Sequence, residues 1–194
     1  MRGRRIFVPK GRDVRPTSDR VREALFSLIG QDLRGIVVLD LYAGTGALGI
    51  EALSRGADRA VFVDHAPRAL EIIRRNLEQC GLTDLADVVR HDLRRGLPSR
   101  RPAPERTFGL AFLDPPYGKD LADPLLAQLG RAGILAPHAL VVVETGAGES
   151  LRNHGDTLRL LERRTYGDTR IHLFRIESGD GSEIGEPPQP ERAP

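Results

Sequence analysis

Five short, largely apolar runs recur along this chain: Ile36-Val37-Val38-Leu39, Ala60-Val61-Phe62-Val63, Ala86 to Val89, Leu110-Ala111-Phe112-Leu113 and Ala139 to Val143. Runs without an in/out alternation have no face to give to water, so each strand must be covered on both sides. Strands of that kind alternating with amphipathic helices build a parallel sheet with helices on both faces. The intervening segments read as helices over 47–55, closed by Gly56, over 67–80, closed by Gly81, and near 121–132, with a short one at 149–153. Two last runs, near 157–165 and 170–176, alternate more and are joined by Y-G-D, which predicts an antiparallel pair at one sheet edge. The expected fold is therefore α/β and Rossmann-like, a seven-stranded, mostly parallel sheet with an antiparallel edge hairpin.

Before the first of these strands, residues 4–8 and 12–15 flank P-K-G-R and suit a small hairpin. Thr17 or Ser18 can cap a helix to about Leu28, with Val21, Ala24, Leu25 and Leu28 at helical spacing. The expected organisation is a hairpin-and-helix extension over 1–30, the main domain over 31–177, and a tail over 178–194. The tail, rich in Gly, Pro and acids, has too few apolar residues to fold. A chain of 194 residues supports one core. No apolar run reaches about eighteen residues, and the opening M-R-G-R-R-I-F-V-P-K lacks a signal-peptide core, so the expected location is the cytoplasm, away from membranes. Cys80 stands alone and predicts a part-buried helical residue, with neither a disulfide nor a thiolate metal site. His65, His91, His138, His154 and His172 are scattered without metal-ligand spacing, so no metal is expected. Ser27, Ser54 and Ser99 lack the context of a hydrolase nucleophile.

Net charge is only +2, but it is uneven. Residues 1–34 hold nine Arg or Lys against four acids, whereas residues 177–194 hold five acids against one Arg. Arginine pairs bidentately with phosphate, and clustering raises the local potential. The basic arm is thus a candidate phosphate-contacting surface, with a merely solvated face as the alternative.

In sheets of this class, ligands bind at the carboxyl ends of the strands, where strand order reverses. The first strand end carries L-D-L-Y-A-G-T-G-A-L-G-I-E-A-L, residues 39–53, in which Gly44, Gly46 and Gly49 satisfy G-x-G-x-x-G, and Asp64 ends the next strand. That spacing suits any adenine cofactor with a ribose for Asp64 to hold. Asp40 narrows the choice: a carboxylate under the glycine loop disfavours a pyrophosphate and favours a cationic sulfonium or ammonium, which points to S-adenosylmethionine. Asp92 ends a third strand, where an adenine amine could donate to it. Each of these acids could instead cap a loop or turn.

The fourth strand ends in L-D-P-P-Y-G, residues 113–118. An exocyclic amine on a base is a poor nucleophile because its lone pair is delocalised into the ring. Two acceptors on its hydrogens, the Asp114 carboxylate and the Pro115 carbonyl, would aim that lone pair at a sulfonium methyl. Pro115 and Pro116 fix the turn, and Tyr117 offers a flat face to a base taken out of its stack.

These motifs, with V-F-V-D at 61–64, resemble class I S-adenosylmethionine-dependent methyltransferases that act on exocyclic or amide nitrogens. The segments G-R-R-I-F-V-P-K-G and R-P-T-S-D-R-V-R-E-A-L-F, together with Y-G-D-T at 166–169, are similar to the RsmD family, which methylates the N2 amine of a guanine in 16S ribosomal RNA. The resemblance implies an enzyme acting as a monomer on ribosomal RNA or the 30S subunit. In it Asp40, Gly44 and Gly46 line the methionine end of the cofactor, Asp64 the ribose and Asp92 the adenine, with Ala43 and His65 as neighbours in the cofactor pocket. Asp114, Pro115, Pro116 and Tyr117 meet the guanine. Thr17 and Arg20 are placed with the cofactor, and Arg4, Arg5, Arg12, Arg15 and Arg22 with RNA. The competing readings are an amine methylase acting on adenine or a protein glutamine, and, further off, an NAD-dependent oxidoreductase or a non-catalytic RNA-binding module.

Overall fold

The computed structural model describes Phe7 and residues 19–98, 107–152, 154, 155 and 157–177. Apart from Phe7, the expected hairpin lies outside the described residues, as do the capping residues Thr17 and Ser18 and the 178–194 tail.

Seven strands form one sheet in the order β3-β2-β1-β4-β5-β7-β6. They are β1 (Val37–Leu41), β2 (Arg59–Asp64), β3 (Ala86–Arg90), β4 (Phe108–Leu113), β5 (Leu135–Gly146), β6 (Leu158–Tyr166) and β7 (Thr169–Ile176). The first five are parallel, and β7 pairs antiparallel with both β5 and β6. β1 and β2 are buried along nearly their whole length, as unalternating runs require.

Four helices cover the sheet: α1 (Asp19–Ile29), α2 (Ala47–Ser54), α3 (Pro67–Cys80) and α4 (Ala122–Arg131). One core joins α1, α2 and α3 to Val38, Phe62, Phe112 and Val142, and a second joins α4 to Leu39, Val61, Ala111 and Val143. Alternate residues of the same strands thus feed opposite cores, as the period of two demands. In α1, Val21 and Leu25 are buried as the spacing predicts, and so is Phe26, whose ring lies 5.9 Å from that of Phe112 with the Arg55 guanidinium 4.6 Å above it. Gly81 closes α3 in the left-handed conformation (φ 67°), and Cys80, at its last position, is buried. Among the described residues no helix is long and apolar enough to cross a membrane.

One expected element does not form. Residues 149–152 carry no helix, because their polar backbone is committed elsewhere. Glu149 N–H bonds back to Gly146 O in a turn, and Arg152 N–H donates to Asp123 Oδ1 of α4 at 2.7 Å. His154 Nε2 meets the same oxygen at 3.0 Å, so the segment runs as a strap across the start of α4.

Candidate active site

The carboxyl ends of β1 to β5 share one edge, and strand order reverses between β1 and β4. Leu41 and Leu113 are paired across that seam, and Asp114 N–H reaches Leu41 O at 3.4 Å. The D-P-P-Y turn therefore leaves the sheet directly beside the glycine loop.

The loop is organised by two buried carboxylates. Asp40, 2% exposed, accepts the Gly49 N–H at 2.9 Å and so ties β1 to the third residue of α2. This approach needs glycine: a Cβ at Gly49 would lie 2.3 Å from Phe62 Cε1. Burial raises the Asp40 carboxyl to about 7, against the pull of the Gly49 hydrogen bond, and the nearby Asp64 charge adds to the rise. Asp64, at the end of β2, accepts Gly44 N–H at 3.0 Å through one oxygen and Ala66 N–H at 2.9 Å through the other. Gly44 and Gly46 take φ of 55° and 77°, the left-handed region that side chains disfavour, and Ala43 is buried between the two acids' strands, bonded to Val63 O.

Asp92 follows β3. It accepts Arg94 Nε and Nη2, both at 2.8 Å, together with Arg94 N–H, and these bonds hold its carboxyl well below the usual range. His91 holds the same turn through Gly96 O, while His65 is exposed with Nδ1 3.6 Å from Asp64. Arg20 lies in the first turn of α1 with its side chain outside the described residues, and Arg22 is half-buried. Thr17, Arg4, Arg5, Arg12 and Arg15 lie outside the described residues.

Asp114 is half-buried, Pro115 buried and Pro116 exposed. The Tyr117 hydroxyl donates to Glu144 Oε1 at 2.5 Å and contacts Thr169 Oγ1 at 3.0 Å; burial and the Glu144 carboxylate raise its phenol. Gly118 N–H donates to Glu149 Oε1 at 2.7 Å.

Several of these groups were not singled out from the sequence. Tyr42, in the left-handed region at φ 59°, turns its hydroxyl into a buried position without a hydrogen-bond partner among the described residues, near Asp92. Asn76, fully buried on α3, donates to Thr45 O of the glycine loop at 2.9 Å and to Phe7 O at 3.1 Å, and accepts Phe7 N–H at 2.8 Å. Glu144 directly follows the apolar run Ala139 to Val143 and, since Leu113 pairs with Val143, stands level with Asp114 although β5 runs on to Gly146; that acid after an apolar run is the signal the sequence carries. Among the described residues no group of three or more His, Cys, Asp or Glu could hold a metal ion.

The family described as "Conserved hypothetical protein 95" matches residues 1–175. The chain is 35% identical to "Putative rRNA methyltransferase YlbH" of Bacillus subtilis, covering 90% of this chain and 94% of that protein. It is 32% identical to "Ribosomal RNA small subunit methyltransferase D" of Haemophilus influenzae, covering 90% and 89%. This chain belongs to the RsmD family. A solved member-like structure, "Putative methyltransferase yhhF from Escherichia coli", superposes with a TM-score of 0.76 at 29% identity, over 91% of this chain and 93% of that one. The Rossmann-like methyltransferase architecture expected of the RsmD family is the one found here.

Proposed function

We propose that this protein transfers a methyl group from S-adenosylmethionine to the exocyclic N2 amine of a guanine in small-subunit ribosomal RNA. One observation carries the reading: the Leu41–Leu113 pairing and the Asp114 N–H bond to Leu41 O put the D-P-P-Y turn beside the glycine loop. A donor held by the loop and an amine held by the turn then lie within reach of each other. The cofactor supplies an electrophilic methyl on a sulfonium.

The residues present fit that cofactor. Asp40 lies beneath the loop with its carboxyl raised to about 7 by burial, so it is only partly ionised at neutral pH, and a cationic centre held nearby would favour its charged form. Gly44, where a Cβ would meet only Tyr42 O at 3.8 Å, leaves the approach free of a side chain after the small Ala43, while Gly46 lets the loop lie against Ile50, Ile73 and Phe62, which a Cβ there would meet at 3.3–3.4 Å. Asp64 has a further lone pair on each oxygen for ribose hydroxyls, with His65 beside it. Asp92 and the Tyr42 hydroxyl, which has no partner among the described residues, flank the adenine end, where Asp92 must share its oxygens with Arg94. Thr17 and Arg20 are assigned to the cofactor by the family resemblance alone.

In the acceptor half, Asp114 and the Pro115 carbonyl hold the two amine hydrogens, so that the lone pair points along the line of transfer. Pro116 stiffens the turn, and Tyr117 stacks the base. Asp114 is the nearest acceptor for the proton the amine releases once the new N–C bond has formed.

The basic residues Arg4, Arg5, Arg12, Arg15 and Arg22 hold RNA phosphates, in a 1–30 extension of the 31–177 catalytic domain. The enzyme works as a monomer in the cytoplasm, on 30S particles or their assembly intermediates. The test is methylation of naked 16S RNA, DNA and 30S particles with labelled S-adenosylmethionine, followed by mass mapping of the product. Label on a guanine N2 of the RNA is the expected result. Label on adenine or on protein would replace the assignment with another amine methylase.

A further inference from the structure

The D-P-P-Y turn is held from outside itself. The Tyr117 hydroxyl meets Glu144 Oε1 of β5 and Thr169 Oγ1 at the start of β7, and both partners are nearly buried, at 6% and 8% exposure. Sheet pairing fixes the two anchors against each other, since Glu144 lies opposite Ile171 and Thr169 opposite Gly146. The next residue of the turn is tied as well: Gly118 N–H donates to Glu149 Oε1, while Arg170 Nη1 holds Glu149 O at 3.1 Å.

Burying a carboxylate is unfavourable unless partners replace its water. A tyrosine whose only task were to fill the turn would need no such partner, because its hydroxyl could point to solvent. Two buried groups from two strands instead fix both the depth and the angle of the ring.

We propose that Glu144 and Thr169 are positioning residues for the methyl acceptor. They touch neither substrate nor cofactor, and act by locking the Tyr117 ring in the plane that delivers the base amine to Asp114 and Pro115. This rests on the reading of Tyr117 as the surface on which the base stacks. An unanchored ring would still bind a base, but over a spread of angles, of which few align the amine.

The experiment uses the full chain and initial-rate methylation of unmethylated 30S particles, with S-adenosylmethionine affinity by calorimetry and melting temperature measured alongside. Glu144→Ala is expected to lose about tenfold in kcat/KM for the particle with cofactor affinity unchanged. Glu144→Gln, which keeps an oxygen to accept the phenol proton, recovers most of that loss. Thr169→Val, close in shape to threonine, loses a smaller factor and keeps the proposal testable if Glu144→Ala does not fold. Placed on a Tyr117→Phe background, Glu144→Ala adds no further loss, because the hydroxyl through which it acts is gone. A purely structural Glu144 would lower activity in step with melting temperature, and by the same factor on both backgrounds.

Normal activity in Glu144→Ala and Thr169→Val, with Tyr117→Ala impaired, would overturn the positioning role and leave Tyr117 as the stacking surface. Normal activity in Tyr117→Ala would remove the stacking role itself, and the positioning role with it. Undiminished loss from Glu144→Ala on the Tyr117→Phe background would also overturn the proposal.

Discussion

The two halves of the sheet edge are built by different means. On the β1–β2–β3 side, strand-end acids bond to backbone or side chains close in sequence: Asp40 to Gly49 nine residues on, Asp64 to Ala66 two residues on, and Asp92 to Arg94 two residues on. On the β4–β5–β7 side the ties span long stretches of chain. Tyr117 meets Glu144 across 27 residues and Thr169 across 52, Gly118 meets Glu149 across 31, and Asp123 meets Arg152 across 29. The cofactor half is thus built mostly from local βα turns joined to their neighbours, whereas the acceptor half takes its anchors from the edge hairpin. Two ties on the cofactor side are exceptions: Asp64 reaches back 20 residues to Gly44, and Asn76 joins α3 to Thr45 across 31 residues and to Phe7 across 69.

The largest expected effect separates the halves by function. Asp114→Ala should lower the rate of methyl transfer roughly a hundredfold or more, through lost orientation of the amine, and leave cofactor affinity near that of the parent. Rates and calorimetric affinities that fell together would mean the two halves are not separable.

Next comes a change confined to the cofactor half. Gly49→Ala places a methyl within 2.3 Å of the Phe62 ring and 3.0 Å of Asp40 Oδ2, and should destabilise the fold by about 2–3 kcal/mol in chemical denaturation. Gly118→Ala on the other side meets nothing within 4 Å, but its φ of 69° still strains a side chain, so a smaller loss is expected there.

Asp64→Ala removes the acceptor for Gly44 and Ala66 as well as any bonds to ribose. Affinity for S-adenosylmethionine should fall by about 1.5–3 kcal/mol, and unchanged calorimetry would assign Asp64 to the loop alone.

The smallest effect is a pair of opposed pH slopes. Asp40 has its folded pKa raised to about 7 from 3.8, so the native state holds the proton longer than the unfolded chain, and stability from this group falls as pH rises from about 4 to 7. His172, buried in β7 with Nδ1 unpartnered among the described residues, is lowered to about 4 from 6.5 by burial and by the Arg163 and Arg170 charges. Its contribution is intact above pH 6.5 and is lost as pH falls toward 4. Relative to the parent, Asp40→Asn should gain stability on raising the pH through that window and His172→Gln on lowering it, each by on the order of 1–3 kcal/mol in melting experiments. Parallel rather than opposed difference curves would break the contrast.

The sequence by itself determined the strands, the helices α2, α3 and α4, the strand-end acids and the D-P-P-Y turn. Each of these is written in local pattern: unalternating apolar runs, 3.6-residue spacing and glycine at helix ends. Only the tertiary structure decided that Asp40 turns inward to Gly49, that Arg94 shares Asp92, and that residues 149–152 run as a strap rather than a helix. Only it brought Glu144 and Thr169 to the Tyr117 hydroxyl. The physical reason is range. A period or a cap is decided by neighbours within a few residues, whereas a hydrogen bond between strand ends depends on sheet order: the Y-G-D turn marks the pairing of β7 with β6, but nothing local marks that β7 also inserts beside β5.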